Sequence, residues 1–328
     1  MVFGARAPGY VLAIAAACFF ALNGSVAKQV LIAELTPIDL VTLRISGAGL
    51  ILLVIALIFV PKDLRLSRKE ILPMLVYGIV AVSFTQFFYF IAIELLPIGV
   101  ALVIEFTAPV LVALWFRYVQ KKPVRKRVWL ALALVLIGLA VITQIWQGLT
   151  LNFWGLLAAV GAALSLAAYF IGGEHYVRER SSLATAALSM SAGALFFLVV
   201  NPLWGFDWQA FAQLTPAPGS GTWLVPLWVL VGWVMVMGTV VPFLLSFTSL
   251  MYLDAKSAII ITSLEPVIAS VIAFALLGER LTPAQMIGGV TVLVGVVLAE
   301  TARLQTTTLV SESSGGQGGG AKPTQATE

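Results

Sequence analysis

Charged residues are scarce in this chain: Asp, Glu, Lys and Arg make up 10% of its 328 residues, and hydrophobic residues make up 60%. Soluble domains carry roughly 25% charged residues, so this composition excludes an ordinary soluble fold. Strict alternation of apolar and polar residues is also missing, which argues against a transmembrane β-barrel. The sequence therefore predicts an all-α polytopic membrane protein.

Residues that commonly carry enzyme chemistry are equally few. The chain holds one histidine, His175, and one cysteine, Cys18, so no internal disulfide is expected. It contains no phosphate-binding loop, no metal-ligand spacing and no Gly-x-Ser-x-Gly elbow. We predict no enzymatic activity, no cofactor and no metal. Any transport is expected to be passive or driven by a gradient.

What the chain has instead is long apolar runs. A helix needs about 20 mostly apolar residues to cross a bilayer, and ten stretches qualify. They run roughly over 8–30, 37–60, 70–94, 98–118, 127–146, 151–173, 183–201, 224–251, 255–277 and 283–301. These are called spans one to ten below.

Basic residues lie mainly in alternate connections between these spans, for example within 62–69 and 117–127. By the positive-inside rule, we expect a multi-pass protein of the plasma membrane with both termini in the cytoplasm. The net charge of +4 does not indicate nucleic-acid binding, because no basic face with interleaved aromatics is present.

Spans four and nine begin with related segments. LPIGVALVIEFTAP (96–109) and LDAKSAIIITSLEP (253–266) superpose at a shift of 157 residues, which places Pro109 on Pro266. A shift of 146 relates earlier parts of the two halves. We therefore predict two five-helix repeats, 8–146 and 151–301, followed by a disordered cytoplasmic tail, 302–328. Because five is odd, the second repeat enters the membrane inverted.

Spans four and nine also carry Glu105 and Glu265. An ionisable side chain inside a membrane span is costly and is by default a functional candidate. Proline cannot bond to the carbonyl four residues earlier, so Pro109 and Pro266 release the carbonyls of Glu105 and Thr262. We predict that the two prolines act as hinges.

The two carboxylates admit two interpretations. They line a central cavity and bind a substrate cation or a proton, or they are structural. Arg44 lies at a similar depth in span two and is the candidate ion-pair partner of Glu105. Since Glu105 aligns with Thr262 and Glu265 aligns with Ala108, the site is expected to be asymmetric.

Further polar and aromatic residues fall in the middle of spans. Asn23, Gln86, Tyr89, Tyr169 and Thr262 are predicted to bind substrate together with the carboxylates. The alternatives are ordinary packing for the aromatic rings and bonds to their own helix for the hydroxyls.

Two further features have structural interpretations. Gly138, Gly288 and Gly295 are expected to allow helices to approach closely. The long 202–223 connection carries several tryptophans and is expected to anchor the chain at the membrane interface, or to cover the outer vestibule as a lid.

The sequence resembles the EamA-type branch of the drug/metabolite transporter superfamily over residues 8–301. The stretches that carry the resemblance are LEPVIASVIAFALLGERLTPAQMIGGVTVLVGVVL (264–298) and PIDLVTLRISGAGL (37–50). LPIGVALVIEFTAPVLVALW (96–115) is similar to threonine/homoserine-type exporters of that family. The resemblance implies ten spans in two inverted repeats, a cavity formed mainly by spans 1, 3, 4, 6, 8 and 9, and alternating access.

The predicted function is export of small metabolites, amino acids or related polar compounds. Protons are a candidate coupling ion, the bilayer is a partner, and monomer and homodimer both stay open. The alternative within the same fold is export of lipophilic cations, including drugs. An intramembrane enzyme would need clustered His and Asp residues that the sequence lacks, and a channel would need a filter stretch.

Overall fold

The computed structural model describes residues 2–33, 35–96, 98–122, 124–142, 144, 152–206, 208–217, 223–277 and 282–315. The first half contains α1 (Val2–Ile32), α2 (Pro37–Phe59), α3 (Arg68–Val76), a first π-turn (Tyr77–Ser83), α4 (Phe84–Leu95), α5 (Ile98–Glu105), α6 (Ala108–Tyr118) and α7 (Lys126–Ile142). The second half contains α8 (Phe153–Glu179), α9 (Ser182–Val200), two 3₁₀ turns (Leu203–Gly205, Ala210–Ala212), β1 (Leu214–Pro216), β2 (Leu224–Pro226), α10 (Leu227–Met235), a second π-turn (Val236–Val240), α11 (Val241–Ser249), α12 (Ala255–Thr262), α13 (Glu265–Leu277) and α14 (Pro283–Gly315).

Polar residues in the connections determine where several helices begin. Thr36 and Asp39 form a reciprocal capping box at α2, in which each side chain accepts from the other residue's N–H at 3.3 Å. The Asn152 side chain caps α8, and the Asp254 carboxylate accepts from the Ser257 N–H at 3.0 Å in α12. Such caps satisfy N–H groups that have no partner within the helix.

Within the described residues, seven helical segments are long and apolar enough to cross a membrane. They are Arg6–Leu31, Pro37–Phe59, Arg68–Leu95, Val100–Tyr118, Phe153–Glu179, Ser182–Val200 and Leu227–Ser249. The other three predicted spans are five, nine and ten. Span five corresponds to α7, which has 17 residues, and span nine is interrupted between α12 and α13. Span ten corresponds to the first part of α14, whose apolar stretch is the shorter Pro283–Ala299. The count of ten therefore stays a prediction.

Spans four and nine break beside their prolines. Helix α5 ends at Glu105 and α12 ends at Thr262, the two residues whose carbonyls Pro109 and Pro266 cannot bond. The same backbone hydrogen bond forms at each break. Thr107 N–H bonds to the Ile104 carbonyl at 3.0 Å, and the aligned bond in span nine measures 2.9 Å. The breaks fall where the sequence predicts them, and their role as hinges stays a prediction.

Spans three and eight each contain a π-turn. In the first π-turn the Ser83 hydroxyl donates to the Gly78 carbonyl at 2.9 Å. In the second, the Thr239 hydroxyl donates to the Val234 carbonyl at 2.8 Å. Both bonds reach back five residues, so each hydroxyl covers a carbonyl that the wider turn displaces. The sequence analysis did not anticipate these turns.

The main helix pairs join one half of the chain to the other. Helix α2 packs along α9, α4 along α8, α1 along α11 and α7 along α14. Small side chains fill these contacts; Ala27, Ala48, Ala159 and Ala186 are all fully buried. The two halves therefore interdigitate, and the core lies between them.

Glycines allow α7 and α14 to approach closely, as expected. A Cβ atom added to Gly288 would lie 2.6 Å from the Ile142 nitrogen and 2.7 Å from the Gly138 oxygen. One added to Gly295 would lie 2.9 Å from the Ala131 oxygen. These obstacles are backbone atoms, which cannot move aside as a side chain can.

The structure also describes parts of two regions outside the core, the 302–328 tail and the 202–223 connection. The structure continues α14 to Gly315, past the predicted end of the second repeat at residue 301, and the disordered tail stays a prediction. Residues 302–314 contain no glycine or proline to end the helix, and 316–328 lie outside the described residues. The 202–223 connection contributes two 3₁₀ turns and β1, which pairs antiparallel with β2. Trp204 and Trp223 are largely exposed, and the choice between anchor and lid stays open.

We predict that Gly288→Ala destabilises the protein by about 1–3 kcal/mol, because the new methyl overpacks the α7–α14 contact. Thermal unfolding in detergent checks this. The matched control is Gly289→Ala, whose Cβ would meet only a Val267 methyl at 3.6 Å. Equal melting temperatures for the two variants would contradict the role of this contact.

Candidate functional site

A central cavity of about 660 Å³, counted with its open mouth, lies between the two halves. Its walls come from α1, α4, α8, α11 and the breaks of spans four and nine, which are the six spans that the family resemblance implies. The lining residues are Phe20, Asn23, Gly24, Thr85, Gln86, Tyr89, Glu105, Phe106, Leu166, Tyr169, Phe170, Phe243, Thr262 and Glu265.

All seven residues predicted to bind substrate line this one cavity. They are Asn23, Gln86, Tyr89, Glu105, Tyr169, Thr262 and Glu265. The sequence analysis missed Phe20, Gly24, Thr85, Phe106, Leu166, Phe170 and Phe243. Most of these are one to four residues from a predicted member along the same span, so helical spacing is the signal that was available.

One of the two carboxylates lies at the C-terminal end of a helix, and the other lies at the N-terminal end of a helix. Glu105 is the last residue of α5, and Glu265 is the first residue of α13. The helix dipole favours negative charge at an N-terminus and disfavours it at a C-terminus. Glu105 is also the more deeply buried of the two, with 8% exposure. The site is therefore asymmetric, as expected, because its two carboxyl groups lie at helix ends of opposite polarity.

An amide oxygen adds to the acceptors of this cavity. Asn23 is 6% exposed, and its Oδ1 atom is buried without a hydrogen-bond partner among the described residues. It lies against Gly238, where an added Cβ would come within 1.9 Å of it. On the next residue, Gly24, an added Cβ would meet nothing within 4 Å. The cavity is thus open at Gly24 and tightly backed at Asn23.

Aromatic rings form another wall of the cavity. The Tyr169 ring lies 5.6 Å from the Phe243 ring and 4.9 Å from the Phe170 ring, both nearly perpendicular. Phe20 contacts Phe243 edge-on at 5.4 Å. Ring faces that border an acceptor-lined space also attract cations.

The ionisable groups that line the cavity are acidic. Its described lining contains two carboxyl groups and no Lys, Arg or His. Neither Glu105 nor Glu265 forms an ion pair with any residue in the described ranges. The described chain also contains no cluster of three His, Cys, Asp or Glu residues suited to a metal. Such a space suits the ammonium group of a small molecule, or a proton.

The predicted ion pair between Arg44 and Glu105 is not formed. Arg44 is fully buried, donates from Nε to the Thr239 hydroxyl at 2.9 Å and from Nη2 to the Gly238 carbonyl at 2.9 Å. Its guanidinium carbon also lies 5.2 Å above the Phe90 ring. The prediction was wrong because it compared only depth in the membrane. Laterally, α2 faces α9, α10 and the second π-turn.

Apolar helices that enclose an acceptor-lined cavity define this chain as an integral membrane protein of the transporter class. Comparison with known proteins identifies the family. The model of the EamA-like transporter family matches twice, over residues 7–144 and 153–301. The chain therefore belongs to the EamA-like transporter family.

Relatives with assigned names are transporters as well. The threonine/homoserine exporter RhtA of Escherichia coli (strain K12) is 30% identical over 249 residues, which cover 75% of each chain. The uncharacterized inner membrane transporter YicL of Salmonella typhimurium (strain LT2) is 24% identical over 304 residues, covering 90% of this chain and 96% of YicL.

A solved crystal structure shares the fold. It aligns with a TM-score of 0.72 over 92% of this chain and 99% of that chain, at 17% sequence identity. At that identity the likeness concerns architecture alone.

We predict that cysteines placed at adjacent positions distinguish cavity from core. In a Cys18→Ser background, Thr262→Cys is expected to react with a membrane-impermeant thiol reagent, and Ser263→Cys is not. Thr262 lines the cavity, whereas Ser263 is fully buried. Labelling is followed by mass shift on gels. Equal labelling of both cysteines would show that the cavity is not open to water as described.

Proposed function

We propose that this chain exports small amines of the amino-acid type across the plasma membrane, by alternating access of two inverted five-helix repeats. The observation that carries the proposal is the meeting of Glu105 and Glu265 in one cavity at the breaks of spans four and nine. An amino group carries the positive charge that this cavity lacks.

The relatives support the substrate class. RhtA is named for threonine and homoserine, both small amino acids with a hydroxyl group. The described lining offers neutral donors and acceptors, such as Gln86 and Thr262, alongside the carboxylates. A zwitterion is expected to place its ammonium near Glu265 and its remaining polar groups on these neutral side chains.

The pairing of helices supports the inverted repeat. Suppose that spans one to five correspond to spans six to ten. The contact between α1 and α11 then corresponds to the contact between α8 and α4, and the contacts α2–α9 and α7–α14 each correspond to themselves. The breaks of spans four and nine also lie at aligned residues. A two-fold relation of this kind is typical of transporters whose repeats rock around a central site.

The distribution of charge supports an orientation. The basic connections within 62–69 and 117–127 favour the cytoplasmic side, which would place both termini in the cytoplasm. Protons are the candidate coupling ion, because the two carboxyl groups are the acidic side chains that reach the cavity.

A second candidate function is export of lipophilic cations. The aromatic wall of Tyr169, Phe170 and Phe243 favours it, since ring faces attract organic cations. Broad efflux of such cations without amino-acid exchange would identify this function instead.

Counterflow in proteoliposomes tests the proposal. Purified protein is loaded with unlabelled threonine or homoserine, and uptake of labelled compound is measured with and without a pH gradient. We predict that Glu265→Gln lowers exchange at least about tenfold, because loss of a buried charged contact to substrate costs on the order of 1.5–3 kcal/mol.

The matched control for this variant is Glu94→Gln, since Glu94 is exposed on α4 and does not line the cavity. Both variants are expected to insert and purify normally. Wild-type exchange and proton dependence in Glu265→Gln would refute the role of this carboxylate.

We also predict that Pro266→Ala slows exchange while substrate affinity is kept. Alanine restores an N–H that can bond to the Thr262 carbonyl, so the broken span becomes a stiffer helix. An exchange rate reduced roughly tenfold, with binding changed less than about twofold, is expected for a variant that impairs a conformational step. Pro73→Ala is the control, because Pro73 is exposed in α3. An unchanged rate in Pro266→Ala would exclude the hinge.

A further inference from the structure

Arg44 occupies an unusual position for a charged residue. It lies inside a membrane span with 0% exposure, and no carboxylate in the described ranges lies within 4.0 Å of it. Two of its nitrogens bond to the second π-turn, at Thr239 and Gly238, and Nη1 has no hydrogen-bond partner among the described residues. A buried charge without a partner is costly, so this arrangement calls for a compensating function.

Arg44 contacts Gly238 and Phe90, and each of these contacts a residue that lines the cavity. Gly238, whose carbonyl Arg44 holds, backs the Asn23 side chain. Phe90, on which the guanidinium rests, contacts the Tyr89 ring at 5.6 Å. Arg44 itself does not line the cavity. Movement of its side chain would therefore displace an amide and a phenol that do.

The charge of Arg44 also acts on the cavity. Its guanidinium rests on Phe90, whose ring contacts that of Tyr89, and Tyr89 lines the cavity together with Glu105 and Glu265. The positive charge of Arg44 therefore lies behind the cavity wall that carries Tyr89. At the low dielectric of a protein interior such attraction extends beyond contact distance. A buried cation behind this wall is a candidate counter-charge for the two carboxyl groups of the cavity.

The first π-turn has no such clamp. At a shift of 146 residues Arg44 corresponds to Met190 in α9. There the turn is held by close backbone packing, because a Cβ added to Gly78 would lie 2.3 Å from the Ser189 oxygen. Among the described residues, a charged side chain of the opposite half therefore holds the second π-turn and none holds the first.

We propose that Arg44 is a positioning residue for the substrate cavity, which clamps the second π-turn of one half to α2 of the other and supplies a counter-charge to the acidic cavity. The inference rests on the proposed transport function for its kinetic consequences. Its electrostatic part stands on the buried charges alone.

Two matched variants test the clamp in the counterflow assay. Thr239→Val removes the hydroxyl that accepts a hydrogen bond from Arg44 Nε. The same hydroxyl donates to the Val234 carbonyl within the turn, and that bond is lost too. Ser83→Ala removes only the corresponding bond within the first π-turn. We expect Thr239→Val to raise KM about fivefold or more with Vmax little changed, and Ser83→Ala to change both less than about twofold.

The counter-charge is tested without transport, by thermal unfolding of Arg44→Gln, Glu265→Gln and the double variant in detergent. Arg44→Gln is expected to lower the melting temperature, and Glu265→Gln in that background to restore part of the loss, so the cycle is not additive. Arg44→Lys keeps the charge without the forked geometry and is expected to retain most of the stability while raising KM.

The outcomes separate the two proposals. Equal KM changes in Thr239→Val and Ser83→Ala would overturn the clamp, and additive melting shifts in the cycle would overturn the counter-charge. If wild-type protein exchanges no amine, the proposed function fails, and the melting cycle still decides whether Arg44 balances Glu265.

Discussion

A backbone carbonyl in the middle of a bilayer has no water to bond to, and this constraint governs where the helices of this protein are broken. The prolines of spans four and nine leave two carbonyls without a helical donor. Such breaks are tolerated where the freed groups face a polar cavity, and here both breaks line one. Each places a carboxyl group at a helix end. The same local rule therefore creates the cavity's polarity and the points at which the spans can bend.

A second constraint concerns the balance between the basic and acidic groups that are buried in the protein. Arg44 and Glu105 lie in helical segments that are long and apolar enough to cross a membrane, and Glu265 begins α13 in the predicted span nine. None of the three forms an ion pair with a described residue. The guanidinium bonds to the neutral second π-turn, and the carboxyl groups face the cavity. Separation keeps the acceptors available, whereas a direct pair with Glu105 would have neutralised one of them. The arrangement suits a site that binds and releases a cation.

The two halves of the chain are alike in architecture and different in chemistry. Their helices pair across the interface in a two-fold pattern, and their breaks align. Glu105 nevertheless aligns with Thr262, and Arg44 aligns with Met190. Membership of the EamA-like family accounts for the shared architecture. The cavity therefore presents different side chains to its interior from the two halves of the chain.

The sequence alone determined the membrane class, the breaks and the polar half of the cavity lining, because hydrophobic length, proline and isolated polar residues act locally along a helix. Asn23, Gln86 and Tyr169 were identified for that reason. The structure alone decided the partners of Arg44, the two π-turns and the helical start of the 302–328 segment. A sequence gives a residue's depth in the membrane, whereas its lateral neighbours depend on how the helices pack. Arg44 has the depth of Glu105, and packing turned it toward Thr239 instead.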